Sequence, residues 1–468
     1  MRRKAGLAVA AAATVMLSGA AGVTAWHYAD GRRPVGTWQP GADVERTPVA
    51  AERPVVSAPG STVAPHPTTV SPRAEAAERP AKTSPSAATP ELRPGRPLES
   101  ASVGDDAGRQ RVGELVEVRK LLDYLGAGPK KETFRYPGAS YVKLHLDRMA
   151  MLPGDYLTVS NPSGTESYRY DAPSVLNSGP IDRWAMSITG DTAVLEMHRG
   201  AAGPLSSLLG TLGVRVDRVA RGFSRTEQAR QPEAQLTAPG RTGREESVCG
   251  SDTSSDAVCY RSADPTAYTK SKAIARLLIN GTELCTGWRV GAQNRMLTNN
   301  HCFTTSGEAY DTEVWFNYQC ARCGGYDVFQ PTKVWGDKVI STDHTYDYTL
   351  FTVASFASVR KFGYLTLDTT RPRAGQELYV PQHPAGEPTR IAGSLGERAG
   401  NCSVADPGYN GYATGSDVSY YCDTEGGSSG SPVLSRATNR VVALHHFGGC
   451  PNSGVRADLL AAKLRRYL

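Results

Sequence analysis

The most informative segment of this chain lies near its C-terminus and reads Gly427-Ser428-Ser429-Gly430-Ser431-Pro432. Two segments upstream complete it: Leu297-Thr298-Asn299-Asn300-His301-Cys302 and Asp347-Tyr348-Thr349-Leu350-Phe351. A serine hydroxyl is a weak nucleophile at neutral pH unless a neighbouring base accepts its proton. His301 can be that base, and Asp347 can hold its imidazole in the required tautomer. We therefore predict that Ser429, His301 and Asp347 form one catalytic site.

Each segment also has a simpler interpretation. A Gly/Ser cluster can be a flexible loop, and a lone histidine is more often structural. Asp343, which is followed by His344, is an alternative to Asp347. We favour Asp347 because the alternating residues 348–353 follow at once and predict a strand that holds its carboxylate in a buried place.

Backbone amides at the serine turn are expected to complete this site. The tetrahedral intermediate of acyl transfer carries an oxyanion, which fixed N–H groups stabilise. The amides of Gly427 and Ser429 are the candidates for this oxyanion hole. A glycine fits there because an amide that points into a site often needs a backbone conformation that other residues resist.

The three segments resemble the trypsin-like serine endopeptidases of the chymotrypsin fold, in the bacterial secreted type related to lysyl endopeptidase. The order His, Asp, Ser along the chain is that of the chymotrypsin branch. The resemblance covers about residues 247–468 and is also carried by Cys285-Thr286-Gly287-Trp288 and by residues 421–433 and 442–449. It implies a mainly β fold, in which a chymotrypsin-like double β-barrel with a C-terminal helix hydrolyses peptide bonds through an acyl-enzyme.

The C-terminal helix is expected at residues 457–468. Leu460, Leu464 and Tyr467 would share its apolar face.

Two chemical classes, basic and acidic, stay open for P1, the substrate residue that precedes the scissile bond. Asp423 lies at the offset from Ser429 at which trypsin keeps the carboxylate that selects Lys or Arg, although it could also be an ordinary loop residue. Lysyl endopeptidase keeps its carboxylate after the pocket strand, where only the poorly aligned Asp458 occurs. Glutamyl endopeptidases use a pocket histidine, and His445 or His446 could serve. We expect a basic P1 residue, with an acidic one as the alternative; the substrate-binding candidates are Asp423, His446, Phe447 and Gly448.

One residue departs from the pancreatic type of this family. Those enzymes carry Asp directly before the nucleophile and pair it with a newly freed N-terminus, whereas this chain has Ser428. A neutral hydroxyl cannot form that ion pair. We therefore expect a zymogen that matures by removal of a covering N-terminal region.

The N-terminus predicts export. Arg2, Arg3 and Lys4 precede the uncharged residues 5–26, which end beside the small-residue cleavage site Val23-Thr24-Ala25. Residues 1–26 are interpreted as a signal peptide or, alternatively, as a membrane anchor. The rest of the chain is then secreted or held at the outer face of the cell membrane.

Residues 27–110 are rich in Pro and Ala without hydrophobic periodicity, which is typical of a disordered linker. The net charge of +6 is modest, and the basic residues form no stripe. We therefore expect no nucleic-acid partner. The expected partners are protein or peptide substrates, and we expect a monomer.

Residues 111–224 predict a β-sandwich-like domain, because alternating segments such as 141–146 are separated by turn formers. Leu152-Pro153-Gly154-Asp155-Tyr156-Leu157 and Asn161-Pro162-Ser163-Gly164 resemble the β-rich region ahead of the protease domain in the same family, which is a propeptide there. An accessory binding module is the alternative. Residues 225–246 predict a second linker with arginines suited to processing.

All nine cysteines occur from Cys249 onward, and in an exported chain they predict disulfides. The resemblance implies the pairs Cys285–Cys302, Cys249–Cys450 and Cys402–Cys422. Cys259 would then reach Cys320 or Cys323, which leaves one of these two unpaired. A single C-x-x-C pair is weak support for a zinc or redox site.

No H-E-x-x-H, phosphate loop or dinucleotide glycine pattern occurs, so we expect neither a metal nor a cofactor. The alternative from another class is a non-catalytic secreted binding protein that keeps the barrel fold.

Overall fold

The computed structural model describes residues 91–93, 108–123, 130–172, 179–199, 213–231, 248–393 and 402–468. The signal peptide or anchor predicted at 1–26 lies outside these residues, as does most of the linker predicted at 27–110. All described residues belong to one compact unit, Trp38–Leu468. Among the described helices, none has the length and apolar character needed to cross a bilayer.

The first ten strands lie between residues 110 and 222. They are β1 (Gln110–Arg111), β2 (Gly113–Asp123), β3 (Lys131–Arg135), β4 (Tyr141–Ala150), β5 (Tyr156–Ser160), β6 (Ser167–Asp171), β7 (Pro180–Trp184), β8 (Ile188–Thr189), β9 (Thr192–His198) and β10 (Gly213–Gly222). Helix α1 (Arg225–Gln228) follows, with Ser224 and Glu227 forming a capping box at its start. The linker predicted at 225–246 thus begins with a helical turn, and its residues 232–247 lie outside the described structure.

Strands β2 to β10 form two antiparallel sheets packed face to face. One has the order β2-β10-β4-β7, with β8 on β4, and the other has the order β3-β9-β5-β6. Alternation decides which side chains face the shared core: in β5, Leu157 and Val159 are fully buried while their neighbours are half-buried. This is the β-sandwich-like domain that the turn spacing predicts.

The remaining strands build the second half of the chain. They are β11 (Ser255–Asp256), β12 (Ile274–Ile279), β13 (Glu283–Arg289), β14 (Met296–Thr298), β15 (Glu313–Phe316), β16 (Thr332–Asp343), β17 (Tyr348–Val353), β18 (Leu378–Gln382), β19 (Arg390–Ala392), β20 (Val404–Tyr409), β21 (Asp417–Tyr420), β22 (Pro432–Ser435), β23 (Val441–Phe447) and β24 (Asn452–Arg456). Helices are α2 (Tyr260–Ala263), α3 (Pro265–Ser271), α4 (Ser306–Tyr310), α5 (Phe356–Val359) and α6 (Ala457–Leu464).

Six of these strands close a barrel. The order β13-β12-β15-β16-β17-β14 returns on itself because β14 also pairs with β13, through Trp288 opposite Leu297. The second sheet has the order β11-β19-β18-β22-β23-β24-β21-β20, with the two-residue β11 at one edge and β20 at the other. The mainly β fold and the two-barrel plan predicted from the sequence are confirmed.

Helix α6 closes the chain as predicted, although it ends at Leu464 rather than at the last residue. Leu460 and Leu464 are fully buried, and Tyr467 packs against the same apolar cluster. The apolar stripe therefore anchors the C-terminus to the two barrels.

Four disulfides brace the second half of the chain. They are Cys249–Cys450, Cys259–Cys323, Cys285–Cys302 and Cys402–Cys422. The choice left open between Cys320 and Cys323 falls on Cys323, and Cys320 is a buried thiol. Burial and, after it, the nearby Asp256 carboxylate raise the pKa of Cys320 to about 11, so this thiol stays protonated at neutral pH.

A group of buried charged side chains joins the sandwich to the first barrel. Lys143 Nζ of β4 lies 2.7 Å from Glu313 Oε1 of β15, and Lys333 Nζ of β16 lies 2.8 Å from Glu166 Oε1. All four side chains are at most 2% exposed. Ser187 of the sandwich donates through its hydroxyl to Glu313 Oε2 at 2.5 Å. We call Lys143, Glu166, Glu313 and Lys333 the interdomain charge cluster.

Candidate active site

His301 is held at the end of β14 by main-chain and side-chain bonds. Its Nδ1 lies 2.8 Å from Asp347 Oδ2, and its backbone N–H donates to Asp347 Oδ1 at 3.0 Å. A carboxylate at neutral pH only accepts, so the proton of the neutral ring sits on Nδ1. Nε2 is left as the basic nitrogen, which is the tautomer that a general base needs. The adjacent disulfide Cys285–Cys302 fixes the loop.

Asp347 is set directly before β17 and is 1% exposed. Its backbone carbonyl accepts from Asn299 Nδ2 at 2.8 Å, which ties it to the histidine segment. The alternative aspartate, Asp343, binds elsewhere: its carboxylate accepts from the Tyr346 N–H and from Lys463 Nζ. Of the two candidates, the structure brings Asp347 against His301.

A second histidine continues this chain of charges beyond Asp347. His446 Nδ1 lies 3.0 Å from Asp347 Oδ2, and its Nε2 lies 2.6 Å from Asp417 Oδ2. Asp417 also accepts from the hydroxyls of Ser416 and Ser453. Both ring nitrogens of His446 face carboxylates, so the ring is doubly protonated and bridges two buried anions. Asp417 was not identified from the sequence. The signal that could have found it is a carboxylate within β21, a strand whose residues are all buried.

Two opposing effects, burial and the charges of neighbouring side chains, set the pKa values of His446 and Asp347. Burial alone would lower the pKa of His446, but Asp417 and Asp347 raise it to about 9. Burial alone would raise the pKa of Asp347, but His301 and His446 lower it well below the ordinary range. At neutral pH Asp347 is therefore a carboxylate and His446 an imidazolium.

Ser429 lies on the turn before β22, and the main chain of this turn contacts the first barrel. Its carbonyl accepts from the Thr286 N–H of β13 at 2.9 Å, and the Thr286 carbonyl accepts from the Thr298 hydroxyl at 2.8 Å. Thr298 ends β14, three positions before His301. The nucleophile turn and the histidine loop are thus joined through one strand.

The amides of this turn are not all in use. Ser428, Gly430 and Ser431 donate their N–H groups to backbone carbonyls, whereas those of Gly427 and Ser429 donate to no atom of the described residues. Gly427 has φ of +94°, and a Cβ there would lie 2.6 Å from Leu284 Cδ2. Only glycine can place this amide without strain. The two free N–H groups are the ones predicted for an oxyanion hole.

Residues 285–444 match the family model described as a trypsin-like peptidase domain. Over these residues the chain is similar to trypsin-like peptidase domains. A curated relative, secreted RxLR effector protein 73 of Plasmopara viticola, is 41% identical over 231 residues, which is 48% of this chain. The chain spans 56% of the length of that relative.

Two solved structures are similar to part of this chain at low sequence identity. A Glu endopeptidase in complex with MPD is 19% identical, with a TM-score of 0.35, and covers 47% of this chain and 98% of that chain. The inactive form of the Rv3671c protease is 16% identical, with a TM-score of 0.32, and covers 44% of this chain and 94% of that chain.

The predicted pocket residues of the peptidase domain lie in different surroundings. Asp423 is 4% exposed, and its carboxylate accepts from the Thr253 N–H at 2.8 Å, the Thr253 hydroxyl at 2.5 Å and the Cys249 N–H at 3.3 Å. His446 lies against Asp347, as described. Phe447 is buried and packs on the Tyr412 ring, with centroids 5.1 Å apart, and Gly448 is half-buried.

Three possible metal ligands converge at the histidine loop. They are His301, Cys285 and Cys302. The two sulfurs are bonded to each other, and a disulfide sulfur lacks the thiolate that binds a metal. The C-x-x-C pair is also divided, because Cys323 is bonded to Cys259.

Proposed function

We propose that the protein is a secreted serine endopeptidase. The observation that carries the proposal is the bond of Asp347 to His301 Nδ1, at 2.8 Å, which leaves Nε2 as a base. Nε2 is buried and has no hydrogen-bond partner among the described residues, so it is free to take a proton. The four disulfides and the secreted relative are consistent with an extracellular location.

The reaction follows from these groups in two stages. Ser429 Oγ attacks the scissile carbonyl while His301 Nε2 takes its proton, and Asp347 stabilises the imidazolium that forms. The N–H groups of Gly427 and Ser429 stabilise the oxyanion. His301 then gives its proton to the leaving amine, and water hydrolyses the acyl-enzyme by the same steps in reverse order.

Labelling with a fluorophosphonate, followed by mass spectrometry, tests this proposal. The protein is treated before and after mild proteolytic trimming, and Ser429 should be the modified residue. Ser429→Ala should abolish labelling and casein hydrolysis. Ser431→Ala is the matched control, because the buried Ser431 hydroxyl has no partner among the described residues and should keep both activities. Activity retained by Ser429→Ala would refute the proposal.

A second candidate function is a non-catalytic secreted binding protein. One observation favours it: the curated relative carries the name of an effector rather than of a protease. This candidate predicts no labelling and no casein hydrolysis in any sample, with an intact fold by circular dichroism.

The P1 preference is a further part of the proposal. Asp423 would select Lys or Arg, as the carboxylate at the same offset does in trypsin, but its carboxylate already accepts three hydrogen bonds from residues 249 and 253. The acidic alternative rests on His445, a buried residue of β23 whose Nδ1 lies 2.8 Å from the Tyr420 hydroxyl. Two peptides that differ only in Lys or Glu at P1, assayed with Asp423→Asn and His445→Gln, decide between the two residues.

Latency is also proposed. The sandwich lies against the first barrel through the interdomain charge cluster, and Trp335 of β16 packs into the apolar core of the sandwich. Ser428 donates its N–H to the Glu425 carbonyl and accepts from the Glu425 N–H, so this serine is bound locally. Activation by displacement of an N-terminal segment therefore needs no ion pair at Ser428.

A further inference from the structure

The segment before the sandwich runs along one edge of β13, the strand whose Thr286 binds the Ser429 carbonyl. Strand β1 pairs antiparallel with the start of β13, with Gln110 opposite Leu284 and Arg111 opposite Glu283. Farther along β13, Thr286 bonds to the Ser429 carbonyl, and Trp288 and Arg289 pair with β14. Residues 110–111 of the protein itself thus pair with the start of this edge of β13, next to the turn that carries Ser429.

Gly108 brings the same segment against the base. Its φ is +101°, and a Cβ built on it would lie 2.5 Å from His301 Cδ2 and 2.8 Å from His301 Nε2. Real Cβ atoms do not approach so closely, so only glycine can pass here without moving the imidazole. The backbone of Gly108 therefore covers the nitrogen that must exchange protons with substrate.

Arg109 fixes the segment in a carboxylate pocket. Its Nη1 lies 3.0 Å from Glu283 Oε2, its Nη2 lies 3.1 Å from Glu308 Oε1, and its Nε donates to the His301 carbonyl at 3.3 Å. The three charged side chains are 14% to 15% exposed. Burial alone would lower the pKa of Arg109, but Glu283 and Glu308 raise it. This pocket is shaped for a guanidinium, which bonds carboxylates through fixed donors.

The position of the pocket identifies the half of a peptide that it would bind. His301 gives its proton to the leaving amine, so the peptide after the scissile bond lies on the His301 side of the site. An open sheet edge beside a nucleophile binds extended peptides by adding them as a strand. We propose that residues 108–112 fill this leaving side from within the chain, and that Glu283 and Glu308 form a subsite for a basic side chain of the substrate.

This inference rests on the proposed function and gives it a mode of regulation. While Arg109 occupies the subsite, a peptide that spans the scissile bond must displace β1 before it can be cleaved. Val112 continues the segment, donating its N–H to the Thr282 carbonyl at 2.8 Å, and lies buried beside Leu284. Displacement is thus expected to peel residues 108–112 from the edge of β13.

The test uses the full chain as wild type, Arg109→Glu and Gly108→Ala. Arg109→Glu repels the segment from its two carboxylates, and Gly108→Ala displaces it through contact with His301. Arg119→Glu, on an exposed position of β2, is the control for the same charge change. Competent sites are counted by fluorophosphonate labelling of Ser429, and cleavage is followed with two internally quenched peptides that carry Arg or Ala after the scissile bond.

Both displacing variants should cleave the Ala peptide at least about tenfold faster per competent site than wild type. Arg109→Glu breaks a buried charge pair, which is worth more than one factor of ten, and Gly108→Ala forces the segment away from His301. Arg119→Glu should match wild type. Within Arg109→Glu, the Arg peptide should be preferred, and adding Glu308→Gln should reduce that preference. Labelled sites with equal cleavage rates in all variants would overturn this inference alone, whereas no labelling in any variant would overturn the serine endopeptidase itself.

Discussion

The molecule has two groups of buried charged side chains, and they are built differently. One lies at the candidate active site, and the other joins the sandwich to the first barrel. Along the active site, Asp417, His446, Asp347 and His301 follow one another through bonds of 2.6 to 3.0 Å. In the interdomain charge cluster, two lysines face two glutamates, and Ser187 and the Trp315 indole N–H satisfy Glu313 further.

The difference lies in charge balance. The interdomain charge cluster has two positive and two negative side chains, so it is neutral and fully paired. At neutral pH the chain of side chains at the candidate active site has two carboxylates, Asp417 and Asp347, and one imidazolium, His446. Asp347 lies between His446 and His301, and in the proposed reaction it stabilises the positive charge that His301 gains when Ser429 loses its proton. The paired cluster joins the two domains, whereas the candidate active site has a carboxylate in place for the positive charge that the proposed reaction forms.

The largest expected effect is at Asp347. Asp347→Asn should lower kcat/KM by about 10⁴-fold, because an amide in this place favours the wrong tautomer of His301. The measurement is peptide hydrolysis by trimmed enzyme with sites counted by fluorophosphonate. Asp343→Asn is the control and should change kcat/KM little. A large loss in the Asp343 variant, with Asp347→Asn active, would reverse the two roles.

The next effect is on stability rather than on chemistry. Glu313→Gln should leave the buried Lys143 without its carboxylate partner, and removing one partner of a buried pair costs about 3–5 kcal/mol. Denaturant unfolding followed by tryptophan fluorescence measures this loss. Glu117→Gln, at an exposed position of β2, should leave the midpoint unchanged. If the two variants unfolded at the same midpoint, the cluster would not hold the domains together.

The third effect is a pH dependence set by His446. Its pKa is raised from 6.5 to about 9, so its contribution to stability is complete below pH 6.5 and is lost as the pH rises through about 9. We expect kcat/KM and the melting temperature to fall together above that pH. Asp417→Asn removes one of the two anions and should move this alkaline limb to lower pH. An alkaline limb at the same pH in both proteins would assign it to another group.

Local patterns accounted for much of the peptidase domain. The alternation after Asp347 predicted β17, the apolar stripe of residues 460 and 464 predicted the last helix, and the glycine at 427 predicted a turn with free amides. These features depend on the conformation of a few neighbouring residues, so they can be inferred from short segments.

The contacts between residues far apart in the sequence were not accessible in this way. Asp417 and His446 meet across two strands, Arg109 reaches Glu283 from a segment 174 positions away, and Lys143 reaches Glu313 across 170 positions. The choice of Cys323 over Cys320 for Cys259 belongs to the same class. No local pattern encodes such pairs.

The sequence by itself determined the chemical types and their order: a serine on a glycine turn, a histidine beside a cysteine, an aspartate before a strand, and cysteines confined to the second half. Only the tertiary structure decided which charges share a buried space, because that depends on how the sandwich and the two barrels pack. Burial strengthens charge interactions and shifts pKa values, and it is set by packing over the whole chain. The pairing of β1 with β13, beside the turn that carries Ser429, is for the same reason visible only in three dimensions.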